Sequence, residues 1–346
     1  LEYKRYKPVS SVLRYYFLNM QRDDPTEPEE NRKAAEKLIQ KERARELSRT
    51  LKRLKNIPQC GAISKVEVPS PAANEPPSTY DTKETVEDVL IEHLKKRYEL
   101  SHRSPFLHEP LLSLVGLTGT DEAAQQILDG TFECPAGVDE TTRLIIELLK
   151  KPLNGYQRVD TCITRQDFQK YHGRTKESTS SSISGLHFGH WKAAAKCDLA
   201  SEIHAIFTDI ATSSGYTPPR WTFGLTVMLE KKPGVILVEK LRAILLLEAD
   251  FNFANKLILG VRMMRNAEEN NLTVPENLGS RKNHNAKELG LNRRLLGDIS
   301  RQQVLPLAIA SVDAAQCYDA IAHPPGSLAC QRLGAPPLFL SCMLMT

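Results

Sequence analysis

Apolar residues repeat with helical spacing in the second half of the chain. Ile203, Ile206, Phe207 and Ile210 stand at i, i+3, i+4 and i+7, which predicts an amphipathic helix. The segment that follows, "FGLTVMLEKKPGVILVEKLRAILLL", is rich in Val, Leu and Ile and is interrupted by a Pro-Gly pair. This pattern predicts two antiparallel strands joined by a turn, with basic residues at the tip of the hairpin.

Further helices and an apolar run follow the predicted hairpin. The segment "DFNFANKLILGVRMM" has helical apolar spacing, and another helix is predicted around Leu291, Leu295 and Ile299. The run "LPLAIASV" then leads to Asp313, which predicts a buried strand that ends at a carboxylate. The order of helix, hairpin, helices and strand indicates an α+β fold.

The first part of the chain contains a long basic segment. "TEPE" opens a predicted helix, with Thr26 as its cap, and this helix is expected to end near Asn56. Between Arg32 and Lys55, ten Lys or Arg residues stand against three Glu residues. Such a helix is either solvated around its surface or follows a nucleic-acid backbone, and the sequence leaves both interpretations open.

Composition divides the chain into four regions. The stretch "PQCGAISKVEVPSPAANEPP" is rich in proline and lacks periodic hydrophobicity, which is typical of a linker. Helical patterns resume after it. The predicted division is a basic helical extension (1–57), a linker (58–80), a small helical region (81–159) and the α+β region (160–346).

Charge and cysteine content exclude several classes of protein. The formal net charge is only +4, so local clusters of charge matter more than the total. Seven cysteines without a C-x-x-C pair argue against a disulfide framework and a structural zinc site. No apolar run approaches the roughly 18 residues of a membrane helix, and no signal peptide is recognisable. We therefore expect an intracellular protein of the nucleus or cytoplasm that is not secreted and has no membrane partner.

Four motifs in a fixed order resemble one protein family. They read "SSSISGLHFGHWKAA", "EKLRAILLLEADFNFANKLI", "VPENLGSRKNHNAKELGLNRRLL" and "SVDAAQCYDAIAH". Together they are similar to the fingers and early palm of reverse transcriptases of non-LTR retrotransposons, over roughly residues 160 to 340. The chain departs from the family pattern at Ile183, Ala243, Asn277 and Asn283, where Pro, Pro, Gln and Gly are usual.

The resemblance implies a right-hand polymerase fold of fingers and partial palm, preceded by the helical extension. It also implies RNA-directed DNA synthesis, in which carboxylates hold two Mg²⁺ ions ~3.5–4 Å apart. The implied partners are an RNA template, a DNA primer and a deoxynucleoside triphosphate. The implied site residues are Asp313 (catalysis and metal), Arg242, Lys231, Lys232 and Tyr318 (nucleotide), and Arg281 and Lys282 (template and primer).

Ordinary structural roles compete with these assignments. An aspartate that leaves a strand is commonly a turn residue, a tyrosine is commonly half-buried with a local hydrogen bond, and a charged hairpin tip is commonly just solvated. His187 and His190 invite a zinc interpretation, but they lack a neighbouring cysteine pair, so packing or backbone contacts are expected instead. Asp319 is expected to cap the helix that follows it.

One part of the family pattern is missing. The family places two adjacent aspartates on a hairpin after the first palm motif, whereas the adjacent pair here is Asp23–Asp24, far upstream. We therefore expect a chain truncated within the palm that does not polymerise as it stands. Two alternatives remain open: a non-catalytic nucleic-acid-binding remnant, and a fragment of an RNA-dependent RNA polymerase. Tyr318 argues against the second alternative, because ribonucleotide polymerases usually have a smaller, polar residue at the position that senses the sugar of the nucleotide.

Overall fold

The structure is a computed structural model with an α+β fold, in which helices predominate and the strands form two-stranded sheets. It describes residues 44, 45, 48, 63–70, 75–152, 156–177, 179, 182–279, 281, 283–314 and 316–345. The predicted basic helix therefore lies outside the described residues, apart from Ala44, Arg45 and Ser48, which are helical and exposed. The helix predicted around Ile203, the hairpin and the later helices are all present.

Strands and helices alternate irregularly along the chain. The strands are β1 (Val66–Val68), β2 (Ser78–Tyr80), β3 (Leu225–Glu230) and β4 (Leu241–Leu246). The helices of the first half are α1 (Lys83–Tyr98), α2 (Leu111–Val115), α3 (Glu122–Asp129), α4 (Glu140–Leu148), α5 (Arg165–Arg174) and α6 (Phe188–Ala194). The helices of the second half are α7 (Asp198–Ser214), α8 (Ala249–Leu257), α9 (Met264–Glu269), α10 (Ala286–Gln302), α11 (His323–Arg332) and α12 (Pro337–Leu344). A π-helical segment, Ile258–Met263, joins α8 to α9.

The chain forms two compact units that are not consecutive in sequence. The first unit comprises residues 1–91, 165–204 and 223–249, and the second comprises 92–164, 205–222 and 250–346. This grouping differs from the predicted division into consecutive regions. The physical reason is that segments far apart in sequence share a hydrophobic core, which composition along the chain does not reveal.

Both small sheets belong to the first unit. Strands β1 and β2 pair antiparallel, and so do β3 and β4, with Leu225 opposite Leu246 and Glu230 opposite Leu241. The backbone N–H of Glu67 donates to the carbonyl of Ile236 at 3.0 Å, which joins β1 to the loop between β3 and β4. The hairpin is therefore held at its connecting loop as well as along its ladder.

A cluster of aromatic and histidine rings packs α5, α6 and α7 together in the first unit. The His172 ring is fully buried, 4.5 Å from the Phe168 centroid and stacked on Trp191 at 5.5 Å. His204 of α7 lies edge-on to Trp191 at 4.8 Å. Burial, together with the nearby His204, lowers the pKa of His172 to about 3, so this imidazole is neutral in the folded protein.

The core of the second unit brings early and late parts of the chain together. Its buried residues are Phe106, Leu111, Val115, Ala124, Ile127, Leu128, Ile146, Leu149 and Leu328. Leu328 comes from α11, whereas the others come from the predicted helical region 81–159. Gln331 of α11 also donates from Nε2 to the carbonyl of Gly119 at 2.6 Å, in a buried position. Helix α11 thus completes the core of a region that the sequence pattern treats as separate.

The predicted strand before Asp313 does not form. Residues 305–314 have no regular secondary structure, and Leu305, Leu307 and Ile309 are 55%, 46% and 48% exposed. A strand gains its stability from a hydrogen-bonded partner and a buried face, and this run has neither among the residues that the structure describes. The prediction of a buried strand from apolar content alone was therefore wrong.

Candidate nucleic-acid site

The β3–β4 hairpin presents basic residues at its tip, as the sequence predicted. The N–H of Val235 donates to the carbonyl of Lys232 at 3.1 Å, and Gly234 has φ +81°, so Pro233 and Gly234 occupy the centre of a tight turn. Glu230 accepts the N–H of Gly234 at 2.7 Å and stabilises the turn further. Lys231 and Lys232 are exposed in this turn.

Arg242 lies on an otherwise apolar face of the hairpin. Its direct cross-strand partner is Leu229, and residues directly opposite each other share a face. The other side chains on that face are Leu225, Val227, Ile244 and Leu246. Arg242 is exposed, and it forms no hydrogen bond or ion pair with another described residue. The structure thus offers a guanidinium that remains available to a ligand.

Two buried carboxylates follow β4, and sequence reasoning missed both. Glu248 is 1% exposed and accepts hydrogen bonds from the hydroxyls of Ser182 and Ser184, the latter at 2.9 Å. The serine-rich motif therefore anchors the end of the hairpin within the first unit. A glutamate that directly follows the apolar run "LRAILLL" was the available signal, because a buried carboxylate needs hydrogen-bond donors.

The second buried carboxylate, Asp250, belongs to the second unit. It is 2% exposed, and Arg220 donates to both of its oxygens, with Nη1 to Oδ1 at 2.8 Å. Burial raises the pKa of Asp250, while the Arg220 guanidinium opposes that rise. The two-pronged contact explains why the carboxylate is tolerated inside the protein.

Asp313 and Tyr318 are both exposed, Tyr318 by 90%. Tyr318 opens a single 3₁₀ turn, Tyr318–Ala320. Neither side chain forms a hydrogen bond, ion pair or ring contact with another described residue. Asp313 belongs to the second unit and Arg242 to the first, so the predicted common cleft for these two residues stays a prediction.

Asp319 has a structural role, but not the predicted one. It accepts hydrogen bonds from Arg97 of α1, with Nε to Oδ2 at 2.9 Å, in a largely buried ion pair. Helix α11 begins four residues later and has Ala322 as its cap residue, without a side-chain cap. The expectation that Asp319 caps this helix was therefore wrong.

Arg281 is occupied within the protein. Its Nε and Nη2 donate to the two carboxylate oxygens of Glu268, each at 2.7 Å. Its Nη1 lies within 3.3 Å of the carbonyls of Val274, Pro275 and Asn277. The guanidinium lowers the pKa of Glu268 and fixes the loop after α9. The template contact predicted for Arg281 stays a prediction, and Lys282 lies outside the described residues.

The residues present do not form a site for Mg²⁺. In the described ranges, no three His, Cys, Asp or Glu side chains are grouped so that they could hold a metal ion. Asp313 alone would supply one carboxylate, whereas magnesium needs a near-octahedral set of oxygen ligands.

His190 Nδ1 accepts the backbone N–H of His187 at 3.1 Å, which confirms the expected backbone contact of that pair.

Cysteines and membrane contact add little to the site. The described cysteines are free thiols, and burial raises the pKa of Cys330 and Cys342. Within the described part of the chain, no helix combines the length and the hydrophobicity needed to cross a bilayer.

A cavity of ≈ 190 Å³ in the second unit contains none of the predicted site residues. It is lined by Arg158, Thr161, Thr212, Ser213, Pro336, Pro337 and Leu338.

The structure brings Arg242, Lys231 and Lys232 together on the hairpin of the first unit, whereas Asp313 and Tyr318 belong to the second unit. Comparison with known proteins adds no family to this description. No family model matches the chain, no curated protein matches it, and no solved structure matches it.

Proposed function

We propose that the chain carries the nucleotide-binding fingers of a reverse transcriptase of non-LTR retrotransposon type. In this proposal the β3–β4 hairpin holds phosphates of a deoxynucleoside triphosphate or of an RNA template paired with a DNA primer. Arg242 is the central residue, and Lys231 and Lys232 add positive charge at the tip. The ancestral reaction is nucleotidyl transfer to a DNA primer.

A single observation carries the proposal. Arg242 is an exposed guanidinium on an apolar face, without a partner among the described residues. A guanidinium is planar and permanently charged, which suits it to two oxygens of a phosphate. The neighbouring leucines and isoleucine offer an apolar surface against which a base or sugar packs. The same face therefore supplies a charged and an apolar contact.

The order of elements supports the same proposal. The motif pattern predicted a helix, a hairpin and further helices, and α7, β3–β4, α8 and α10 follow in that order. The strand that should deliver Asp313 is missing from this order, and that carboxylate has no neighbouring ligand. The support therefore concerns nucleotide and nucleic-acid binding more than catalysis.

The non-catalytic remnant is the second candidate function. It is favoured by the lone, exposed Asp313 and by the absence of a three-ligand metal group in the described residues. In that case Arg242 and the hairpin still bind nucleic acid, but no nucleotide is added. A fragment of an RNA-dependent RNA polymerase is the third candidate, and it predicts a preference for ribonucleotides.

Binding is tested with a fluorescent RNA–DNA hybrid and the full 346-residue chain at two salt concentrations. We expect weak binding that falls steeply as salt rises, because cationic side chains displace counterions from the nucleic acid. Arg242→Gln should reduce the salt slope by about 1, whereas the control Lys96→Gln, on the exposed side of α1, should not. Absence of binding at low salt would remove the proposed function.

Primer extension on an RNA template separates the candidates. We expect no DNA synthesis by this chain, because one isolated carboxylate does not hold two metal ions. Template-dependent synthesis that Asp313→Asn abolishes would contradict this expectation and would favour an active enzyme. Binding that survives Arg242→Gln unchanged would show that the hairpin is not the binding surface.

A further inference from the structure

Helix α7 is apolar on the side that faces solvent. Its exposed side chains include five large apolar ones, Leu199, Ile203, Ile206, Phe207 and Ile210, between 42% and 70% exposed, beside the exposed Asp198, Glu202, Ser213 and Ser214. On a helix with about 3.6 residues per turn, these five fall within an arc of roughly 100°. The buried residues of the same helix are small: Ser201, Ala205, Thr208, Ala211 and Thr212.

The buried face of α7 explains why the large residues point outward. Small side chains let the backbone of α7 approach the elements beneath it closely. The outer stripe is exposed, without a packing partner in the described part of the chain. A contiguous apolar patch of this kind marks an interaction surface rather than an ordinary exposed face.

Helix α10 also exposes a stripe of large apolar side chains. None of its residues is buried, and Leu289, Leu291, Leu295, Leu296 and Ile299 are 49% to 59% exposed. These five occupy an arc of roughly 160° on the helix. Helix α10 has 17 residues, and so does α7, so the two stripes match in length.

Charge decides which helix each stripe accepts. Helix α7 contains Asp198, Glu202 and Asp209 and no Lys or Arg. Helix α10 contains four basic residues, Lys287, Arg293, Arg294 and Arg301, against Glu288 and Asp298. Pairing α7 with another α7, or α10 with another α10, brings like charges together. Pairing α7 with α10 brings opposite charges to the edges of two apolar stripes.

We propose that the chain associates with a second copy of itself, with α7 of one copy packed against α10 of the other. In this arrangement the apolar stripe of α7 is covered by α10 of another copy, and the stripe of α10 is covered by α7 of another copy. This inference goes beyond the proposed function and does not depend on it, because it uses neither Arg242 nor Asp313. Each contact joins two different helices, so the assembly closes into a two-fold dimer if both α7–α10 pairs form at once and extends head-to-tail if only one forms.

The test is sedimentation of the full chain over nanomolar to micromolar concentrations. Ile206→Asp on α7 and Leu295→Asp on α10 should each weaken self-association roughly tenfold or more, because each places a charge in an apolar contact. The matched control is Leu148→Asp, at an exposed leucine of α4 (67% exposed), which should leave association unchanged. Circular dichroism checks that all three variants remain folded.

Mixing the two variants gives the decisive result. The Ile206→Asp chain retains an intact α10, and the Leu295→Asp chain retains an intact α7. Each should sediment as a monomer where the unchanged chain associates, and their mixture should form a heterodimer through the one intact pair.

Four outcomes would overturn the proposal. A chain that is monomeric at every concentration has no such interface, and a folded variant that associates as before shows that its helix is not part of it. Association of Leu295→Asp alone would indicate pairing of α7 with α7. A mixture that fails to associate would show that α7 and α10 are not complements.

Discussion

The β3–β4 hairpin and the segment 305–314 have similar apolar sequences and different structures. In the hairpin, Leu241 is fully buried and every strand residue has a cross-strand partner. In the segment, Val312 is 92% exposed and no residue belongs to a strand. The hairpin finds its partner strand after a short loop in the same segment of chain, whereas 305–314 has none nearby. Local pairing, and not apolar content, separates the two regions.

Anchoring adds to this difference. The hairpin is followed by Glu248, whose carboxylate is held by Ser182 and Ser184 inside the first unit. The segment 305–314 leads to Asp313, which is exposed and forms no hydrogen bond or ion pair with a described residue. A buried, hydrogen-bonded end fixes the position of a strand, and a solvated end leaves it undetermined. The nucleotide site predicted for Arg242 and Asp313 stays a prediction.

The largest expected effect comes from the same truncation made in both regions. Leu241→Ala should lower the free energy of unfolding by about 2–5 kcal/mol, since it removes buried contacts and leaves a cavity. Leu305→Ala, at a side chain that is 55% exposed, should change it by no more than about 0.5 kcal/mol. Urea denaturation followed by circular dichroism measures both. Equal effects would mean that 305–314 is packed in solution, so that the hairpin and this segment would not differ in packing.

A smaller effect is expected from the anchor of the hairpin. Ser182→Ala should cost about 1.5–3 kcal/mol, because it removes a hydrogen bond to a buried carboxylate. Ser214→Ala is the matched control, since the Ser214 hydroxyl is exposed and donates to the carbonyl of Ile210 within its own helix. Its effect should stay within about 0.5 kcal/mol. A Ser182 variant as stable as the control would show that Glu248 is anchored by other contacts.

The smallest effect depends on pH and should be confined to the first unit. His172 has a pKa of about 3 in the folded protein and about 6.5 when unfolded. Below pH 6.5 the unfolded chain therefore binds a proton that the folded chain does not. The contribution of neutral His172 to the free energy of unfolding is fully present above pH 6.5. As the pH falls to 5, the free energy of unfolding should decrease by about 2 kcal/mol.

The comparison for this pH effect is His172→Phe, which keeps a ring against Phe168, Tyr171, Trp191 and His204 and removes the titrating group. Unfolding of both proteins in urea at pH 7 and pH 5 measures the difference. The variant should lose less stability between the two pH values than the unchanged protein. Parallel losses would mean that His172 does not titrate on unfolding.

Much of the local structure could be predicted from the sequence, for a physical reason. Helical periodicity located α7 and α10, and the Pro-Gly pair located the turn of the hairpin, because each depends on residues close together in the chain. The basic tip and the backbone contact of His187 with His190 are local in the same way. Asp319 shows the limit, since its partner Arg97 lies 222 residues away.

The sequence by itself determined the positions of α7 and α10, where the hairpin turns and which residues carry charge, because backbone propensity and turn chemistry act over a few residues. Only the tertiary structure decided which face of each helix is buried. Helix α7 buries Ser201, Ala205, Thr208, Ala211 and Thr212 and exposes its isoleucines, since close packing favours small side chains. It also decided that Arg281 is bound to Glu268, while Arg242 has no hydrogen-bond or ion-pair partner in the described part of the chain, because the partners of a side chain depend on which distant residues fold beside it.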